Sequence, residues 1–304
     1  MRVLVTGGAG FIGSHVADAF LQAGHEVVII DDLSTGLEEN IPPGAEFVAG
    51  DITDRATVDS LFTENKFDVI NHHAAQMNIR VSVADPVRDA RVNILGTIEL
   101  LRQSIRTGVD KFMFASTGGA VYGEQTSFPA DENHATNPIS PYGVSKLAGE
   151  KYIHCYSREY GLPYCILRYA NVYGPRQNPH GEAGVVAIFS SQLAAGKAVT
   201  INGDGHQTRD YIYVGDVVAA NLAGLKATDN LTINVGTGVE TDVLTLYEEL
   251  RQAADTDQAP RHGPAKPGEQ IRSVIDPGLA GEALGWEPRT ALSEGLRRTY
   301  LSFT

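Results

Sequence analysis

Tyr142 and Lys146 stand four residues apart, a spacing that puts both side chains on one face of a helix. A free tyrosine has a pKa of ~10 and is a poor base near neutrality. A neighbouring ammonium and an oxidised, positively charged nicotinamide both favour the phenolate and lower that value. The pair thus suits proton exchange with a substrate hydroxyl while hydride moves to or from a dinucleotide. Lys146 would also hydrogen-bond the nicotinamide ribose. Hydroxyls at Ser116 and Thr117 end an earlier apolar run, and Thr117 could share the same substrate oxygen. The spacing alone recurs in many helices, so the reading needs a dinucleotide site elsewhere in the chain.

That site is written between Val3 and Asp32, VLVTGGAGFIGSHVADAFLQAGHEVVIIDD. The apolar run Val3–Val5 meets glycines at 7, 10 and 13, then an amphipathic segment Phe11–Leu21, then a second apolar run Val27–Ile30 stopped by Asp31. Strand, phosphate turn, helix and strand follow in order. Gly7 permits the tight turn, Gly10 lets backbone N–H groups approach a pyrophosphate, and Gly13 lets helix and strand pack closely. The phosphates belong at the helix N-terminus. Asp31 closes the second strand, where a carboxylate accepts hydrogen bonds from an adenosine ribose. Asp31 and Asp32 repel a 2′-phosphate and have no arginine beside them, which favours NAD over NADP.

The elements that position these groups alternate along the chain. A polar turn, Leu33–Gly36, precedes a strand Glu46–Ala49 that ends at Gly50-Asp51. Helix formers (Asp54–Phe62) and strand formers (Phe67–Asn71) come next, then His72-His73-Ala74-Ala75-Gln76, where small residues let backbone approach a ligand. Val87–Ile105 has helical spacing and contains Asn93; Lys111–Ala115 is a strand; Pro141 begins a helix to about Tyr160; Tyr164–Arg168 is a strand. This predicts an α/β fold of the Rossmann type, a doubly wound parallel sheet covered on both faces, with ligands at the carboxyl ends of the strands. Beyond it, the Gly-, Pro- and Asn-rich stretch Asn171–Gly184 reads as a long irregular loop of the functional kind. Short strands and helices follow. The expected division is an NAD-binding domain over 1–170 and a smaller mixed α/β lobe over 171–304, mainly for substrate, with some segments returning to the first domain.

Composition narrows the class. The chain has 304 residues, 42% hydrophobic and 20% charged, as in an ordinary globular protein. A net charge of −13 argues against a nucleic-acid surface. No apolar run approaches the ~20 residues that cross a bilayer, and the N-terminus enters a strand directly with no basic leader. Cys155 and Cys165 form no metal motif. No metal and no membrane are expected, and the cytoplasm is the expected location.

With these motifs in place a family becomes visible. TGGAGFIG (Thr6–Gly13), DDLSTG (Asp31–Gly36), HHAAQ (His72–Gln76), STGGAVYG (Ser116–Gly123), SPYGVSK (Ser140–Lys146) and RYANVYGP (Arg168–Pro175) resemble the extended short-chain dehydrogenase/reductases of the NAD-dependent epimerase/dehydratase type. GEAGVVAIF (Gly181–Phe189) and TRDYIYVGDV (Thr208–Val217) resemble the short bacterial and archaeal UDP-glucose 4-epimerase branch. The resemblance implies a redox-neutral cycle with NAD kept bound. Tyr142 takes the proton of the sugar 4-hydroxyl, hydride passes from C4 to the nicotinamide, the 4-keto sugar swings about its pyrophosphate link, and both steps reverse on the other face.

It also implies contacts. NAD would meet Gly7, Gly10, Phe11, Ile12 and Gly13 at the phosphates. Asp31, Asp32, Ser34, Thr35, Gly36, Asp51 and Ile52 would serve the adenosine end, and His72, Ala74, Ala75, Gln76, Asn93, Ser116, Tyr142, Lys146 and Tyr169 the remainder. The UDP-sugar would meet Thr117, Asn171, Val185, Thr200, Asn202, Arg209, Glu269 and Arg272, with the Arg209 fork suited to the diphosphate.

Two departures from the family pattern matter. Where many relatives place the catalytic hydroxyl, this chain has Gly118, so the role is assigned to Thr117, with Ser116 second. The same segment lacks the Asp-Glu pair of dehydratases, which disfavours elimination. Where some relatives carry a bulky tyrosine near the sugar, this chain has Ser273, which opens the pocket to UDP-N-acetylhexosamines. UDP-glucuronate 4-epimerisation, a net nucleotide-sugar oxidoreductase and a non-enzymatic NAD sensor are the competing readings. Dimerisation through Val87–Ile105 and Tyr142–Tyr160 is the expected assembly, a homodimer, although the apolar stripe Val144, Leu147, Ala148, Tyr152 and Cys155 also suits core packing.

Overall fold

Val3, Leu4 and Val5 are fully buried, as are Val28, Ile29 and Ile30, because both runs are strands covered on two faces. The computed structural model describes residues 1–180, 184–265 and 270–304. The first strands are β1 (Arg2–Thr6), β2 (Glu26–Asp31), β3 (Glu46–Ala49), β4 (Val69–His72), β5 (Lys111–Thr117) and β6 (Tyr164–Tyr169). The later ones are β7 (Asn171–Tyr173), β8 (Thr200–Asn202), β9 (Thr208–Tyr213), β10 (Leu231–Val235), β11 (Glu240–Asp242), β12 (Arg261–Gly263) and β13 (Arg272–Ser273). Seven of them form a parallel sheet in the order β10-β6-β5-β4-β1-β2-β3. The order runs one way from β1 to β3 and the other way from β4 onward, so the crevice for a dinucleotide opens between β1 and β4.

The helices are α1 (Phe11–Gln22), α2 (Arg55–Glu64), α3 (Ile79–Ala84), α4 (Pro86–Ala90), α5 (Thr97–Thr107), α6 (Gly118–Val121) and α7 (Pro141–Tyr160). After them come α8 (Val185–Ala194), α9 (Val214–Lys226), α10 (Val243–Ala253), α11 (Gly278–Leu284) and α12 (Leu292–Leu301). One face of the sheet is covered through Val16, Phe20, Val217 and Ala220 of α1 and α9. The other is covered through Val58, Leu61, Leu100, Leu101 and Ile153 of α2, α5 and α7. The sheet is doubly wound, as the alternation of the sequence requires.

The later strands make smaller sheets. β9 is flanked by β11, β13 and β7, and β8 pairs with β12. A separate apolar cluster holds them to α8, α10 and α12, with Val186, Phe189, Leu246, Leu250 and Leu296 at its centre. β10 leaves this region and pairs with β6 in the main sheet. The loop expected from Asn171 begins instead as β7, paired with Tyr211–Tyr213.

The segment Val87–Ile105 departs from regular spacing. α4 continues into a wide π turn, Arg91–Gly96, before α5. Such turns re-aim side chains at functional sites, and this one carries Asn93. The α7 stripe also divides: Leu147 packs inward on Val121 and Tyr122, whereas Val144 and Tyr152 are exposed.

Candidate active site

Gly7 adopts a left-handed conformation (φ +69°), and a Cβ there would lie 2.6 Å from the Ala74 nitrogen. A Cβ on Gly13 would lie 2.3 Å from the Gly7 carbonyl oxygen. Only glycine allows β1, α1 and the end of β4 to approach this closely. α1 has Gly10 at its N-cap, no acidic residue in its first turn, and no capping side chain among the described residues. The N–H groups of Phe11, Ile12 and Gly13 therefore stay available for an anion.

Asp31 is 8% exposed. Its Oδ2 accepts from the Ala9 N–H at 3.0 Å and its Oδ1 from the Leu33 N–H at 2.9 Å. Each oxygen retains a lone pair for a ribose hydroxyl. Burial, offset by these bonds, raises its pKa. A Cβ on Gly36 would stand 2.9 Å from Oδ1, so glycine keeps that side clear. Asp32 is spent on its own turn, accepting from the Ser34 N–H and hydroxyl at 2.9 and 2.6 Å. Thr35 is exposed nearby. Asp51 accepts from the Thr53 N–H at 2.8 Å, and Ile52 is buried with its Cδ1 2.7 Å from where a Gly96 Cβ would stand. These carboxylates suit an unphosphorylated ribose, so the residues present fit NAD.

The β4 end is held by a hydrogen-bonded chain. The Ala74 N–H donates to Thr6 Oγ1 at 3.1 Å, and Thr6 Oγ1 donates to His72 Nδ1 at 2.7 Å. His72 Nε2 donates to Thr97 Oγ1 at 2.9 Å, because that hydroxyl already donates to the Asn93 carbonyl at 2.7 Å. The ring is thus neutral with its hydrogen on Nε2, and burial, reinforced by Lys146, holds its pKa well below the ordinary value. The His72 side chain ties strands together and does not face the cleft. Asn93 grips Gln76, donating to its carbonyl and accepting from its N–H, both at 2.8 Å. Both residues bracket the loop that carries Ala74 and Ala75. Tyr169 stacks on His73 at 6.2 Å between centroids, and its hydroxyl accepts from Asn221 at 2.8 Å. Burial pushes the Tyr169 phenol up and brings His73 down to about 3.

α7 starts with a Ser140 cap on the Gly143 N–H and Pro141 in its first turn. Tyr142 is half-buried, and Lys146 is 4% exposed. Lys146 Nζ donates to the Ala115 carbonyl at 2.8 Å and lies 4.8 Å from the Phe114 ring centroid. Burial brings its pKa down to about 8, against the opposing effects of Asp89 and Glu150. The expected lowering of Tyr142 is not found in the protein alone: burial, then the Asp89 carboxylate, hold the phenol above its ordinary value. The lysine bonds a backbone carbonyl, and the cationic nicotinamide is the remaining source of the required shift.

Ser116 is 3% exposed, and its hydroxyl donates to Glu150 Oε1 at 2.6 Å. Glu150 is paired in turn with Arg168 at 2.7 Å. Ser116 belongs to that buried network. Gly118 backs onto Ile275, whose Cδ1 would lie 2.8 Å from an added Cβ, so a side chain there would have to displace Ile275. Thr117 Oγ1, Asn171 Oδ1 and Ser273 Oγ instead surround Gly119, at 3.9, 3.6 and 3.8 Å from its Cβ position. Three polar groups from three distant segments converge on one glycine.

Other proposed substrate contacts are less gathered. Val185 opens α8, half-buried, and Thr200 and Asn202 end-mark β8. Arg209 pairs in register with Ser273, and its Nη1 donates to the Thr208 carbonyl at 2.7 Å. Arg272 is turned away: it is exposed, bonds both oxygens of Glu240 at 2.9 and 2.8 Å, and lies over the Phe128 ring. The assignment of Arg272 to substrate therefore has no geometric support. Glu269 lies outside the described residues. Among the described residues no cluster of metal-ligating side chains occurs.

The model of the NAD dependent epimerase/dehydratase family matches residues 3–236, which takes in the glycine turn, the α7 pair and β10. The chain belongs to that family. A UDP-glucose 4-epimerase of Mycolicibacterium smegmatis is 47% identical over 98% of this chain and 97% of its own. The crystal structure of the Thermotoga maritima UDP-glucose 4-epimerase with UDP-glucose shares 47% identity, 100% and 98% coverage and a TM-score of 0.98. The NAD complex of the Thermus thermophilus enzyme shares 45% identity, 100% and 99% coverage and a TM-score of 0.94. Membership in an NAD-dependent family agrees with the cradle at Gly7, Gly13 and Asp31.

Gly119, Glu150 and Asp89 belong to the site's surroundings without standing in any of its sequence motifs as named site residues. Asp89 carried a signal: it lies one helical turn before Asn93, a charged residue on the inward face of a helix.

Proposed function

We propose that the protein is a UDP-hexose 4-epimerase that interconverts UDP-glucose and UDP-galactose and retains NAD between turnovers. The convergence of Thr117, Asn171 and Ser273 on Gly119, beside the helix that carries Tyr142 and Lys146, is the observation that carries it. When bound, NAD supplies the acceptor and donor of the C4 hydride. Tyr142 takes the proton of the 4-hydroxyl and returns it after the sugar has turned. Thr117 holds the same oxygen, and Lys146, which also donates to the Ala115 carbonyl, bonds the nicotinamide ribose. The glycine turn and Asp31 hold the dinucleotide, and Arg209 with Asn171 holds the diphosphate. Residues 1–170 do the redox work and 171–304 mainly hold the sugar nucleotide.

Incubation of purified protein with UDP-galactose, without added NAD, tests this. Formation of UDP-glucose supports it, and a requirement for stoichiometric NAD overturns it.

Ser273 supports a second reading, acceptance of UDP-N-acetylhexosamines. It is small and adjoins Gly119, and a UDP-N-acetylglucosamine 4-epimerase of Methanobrevibacter ruminantium is 33% identical at a TM-score of 0.94. Parallel assays on UDP-N-acetylgalactosamine decide it; absence of turnover refutes it.

The assembly we infer is a homodimer through α4, the π turn and α7. Val87 (67%), Leu95 (58%) and Val144 (50%) leave an apolar face there. Val144→Arg should convert a dimer to a monomer in light scattering. No described helix is long and apolar enough to cross a membrane, and two free cysteines suit our assignment to the cytoplasm.

A further inference from the structure

Asp89 has no exposed surface, although it is ionisable, and it faces the helix of the reacting pair. Ser145, which stands between Tyr142 and Lys146 in the chain, donates its hydroxyl to Asp89 Oδ1. Gln76 Nε2 donates to Oδ2 at 3.1 Å. Gln76 is itself fixed, by both Asn93 bonds and by an Asn78 N–H that donates to its Oε1 at 2.7 Å. One carboxylate thus joins the loop after β4 to the turn of α7 between the phenol and the ammonium. A buried charge is tolerated only where other groups compensate it. Asp89 favours the charged form of Lys146 and opposes ionisation of Tyr142.

We propose that Asp89 is a positioning residue for the reacting pair, fixing α7 through Ser145 and supplying the counter-charge to Lys146. The proposal rests on the epimerase reading. Other charged or titratable groups face the same region. Glu150 on α7 also favours the Lys146 ammonium. At the β4 end His72 and His73 lie within its field. Arg80 on α3 and Arg88 and Arg91 around α4 are exposed cations. Among the described residues, only Asp89 acts on both members of the pair and is bonded to the turn between them.

A neutral side chain at position 89 makes the phenol ionise at lower pH and the ammonium lose its proton at lower pH. Both limbs of the pH profile then slide in the same, acidic direction. A merely structural defect lowers the profile without sliding it.

The experiment is kcat and KM against pH for UDP-galactose conversion by wild type, Asp89→Asn, Asp89→Glu and Ser145→Ala. Asp89→Asn should move both limbs acidward by about half a unit or more. Asp89→Glu should restore their positions. Ser145→Ala keeps the charge and loses the bond, so kcat falls several-fold with unmoved limbs and unchanged KM. Limbs fixed in Asp89→Asn, or wild-type kcat in Ser145→Ala, overturn the proposal, and Ser145→Ala decides alone if Asp89→Asn does not fold. An inactive wild type sinks the epimerase reading instead. The charge coupling is then read from unfolding temperature against pH, whose alkaline rise should begin at lower pH in Asp89→Asn; an unmoved onset overturns it.

Discussion

Ser116 gives its hydroxyl hydrogen to Glu150 Oε1 at 2.6 Å, beneath the cleft, while Thr117, the next residue of β5, points to the opposite face as strand alternation requires. Thr117→Val should lower kcat about 10²-fold with little change in KM. Ser116→Ala should keep kcat near the wild-type value and lose about 1–2 kcal/mol of stability, because Glu150 loses a donor. Steady-state kinetics with urea melts on both variants checks this; unchanged turnover in Thr117→Val sinks its assignment.

Lys146 carries a charge where burial disfavours it, with its pKa brought from 10.5 to about 8. Between those values the unfolded chain binds more protons than the folded one, so stability rises with pH through that window. Below pH 8 the buried ammonium costs ~3 kcal/mol. Lys146→Met should therefore melt several degrees higher than wild type at pH 7, with the gap closing by pH 10, and should lose activity. Calorimetry across that range checks it.

Gly13 meets the Gly7 carbonyl, which is backbone and cannot swing aside. Gly13→Ala should push α1 off β1, destabilise by about 1–3 kcal/mol, and yield protein purified with little NAD. Extraction of the cofactor by denaturation, with its absorbance against protein concentration, measures the loss.

Much of this was legible. Apolar runs predicted β1 to β6, the first three closed by glycine or aspartate, and the glycine spacing marked the dinucleotide crevice. β11, β12 and β13 were not legible, because strands of two or three residues carry no periodicity. The bracket roles of His72 and Asn93 were hidden for another reason. Thr6 and Thr97 lie 66 and 25 residues from His72, and the sequence shows no such pairing. Gly118 read as a missing hydroxyl, and its packing against Ile275 is visible only in the fold.

On the proposed reading, NAD is retained through Asp31, whose carboxylate is 8% exposed and keeps lone pairs for a ribose. Asp31→Ala should make turnover depend on added NAD, and should also strand the Ala9 and Leu33 N–H groups it now satisfies. Activity equal to wild type without added cofactor would contradict this.

On the proposed reading, one bound NAD takes the C4 hydride and gives it back within a single turnover. UDP-galactose deuterated at C4, incubated with the purified protein and no added cofactor, tests this most directly by mass spectrometry and NMR of the product. The expected product is UDP-glucose with the deuterium still at C4. Loss of the label to solvent, or release of reduced NAD in step with consumption of substrate, would contradict it.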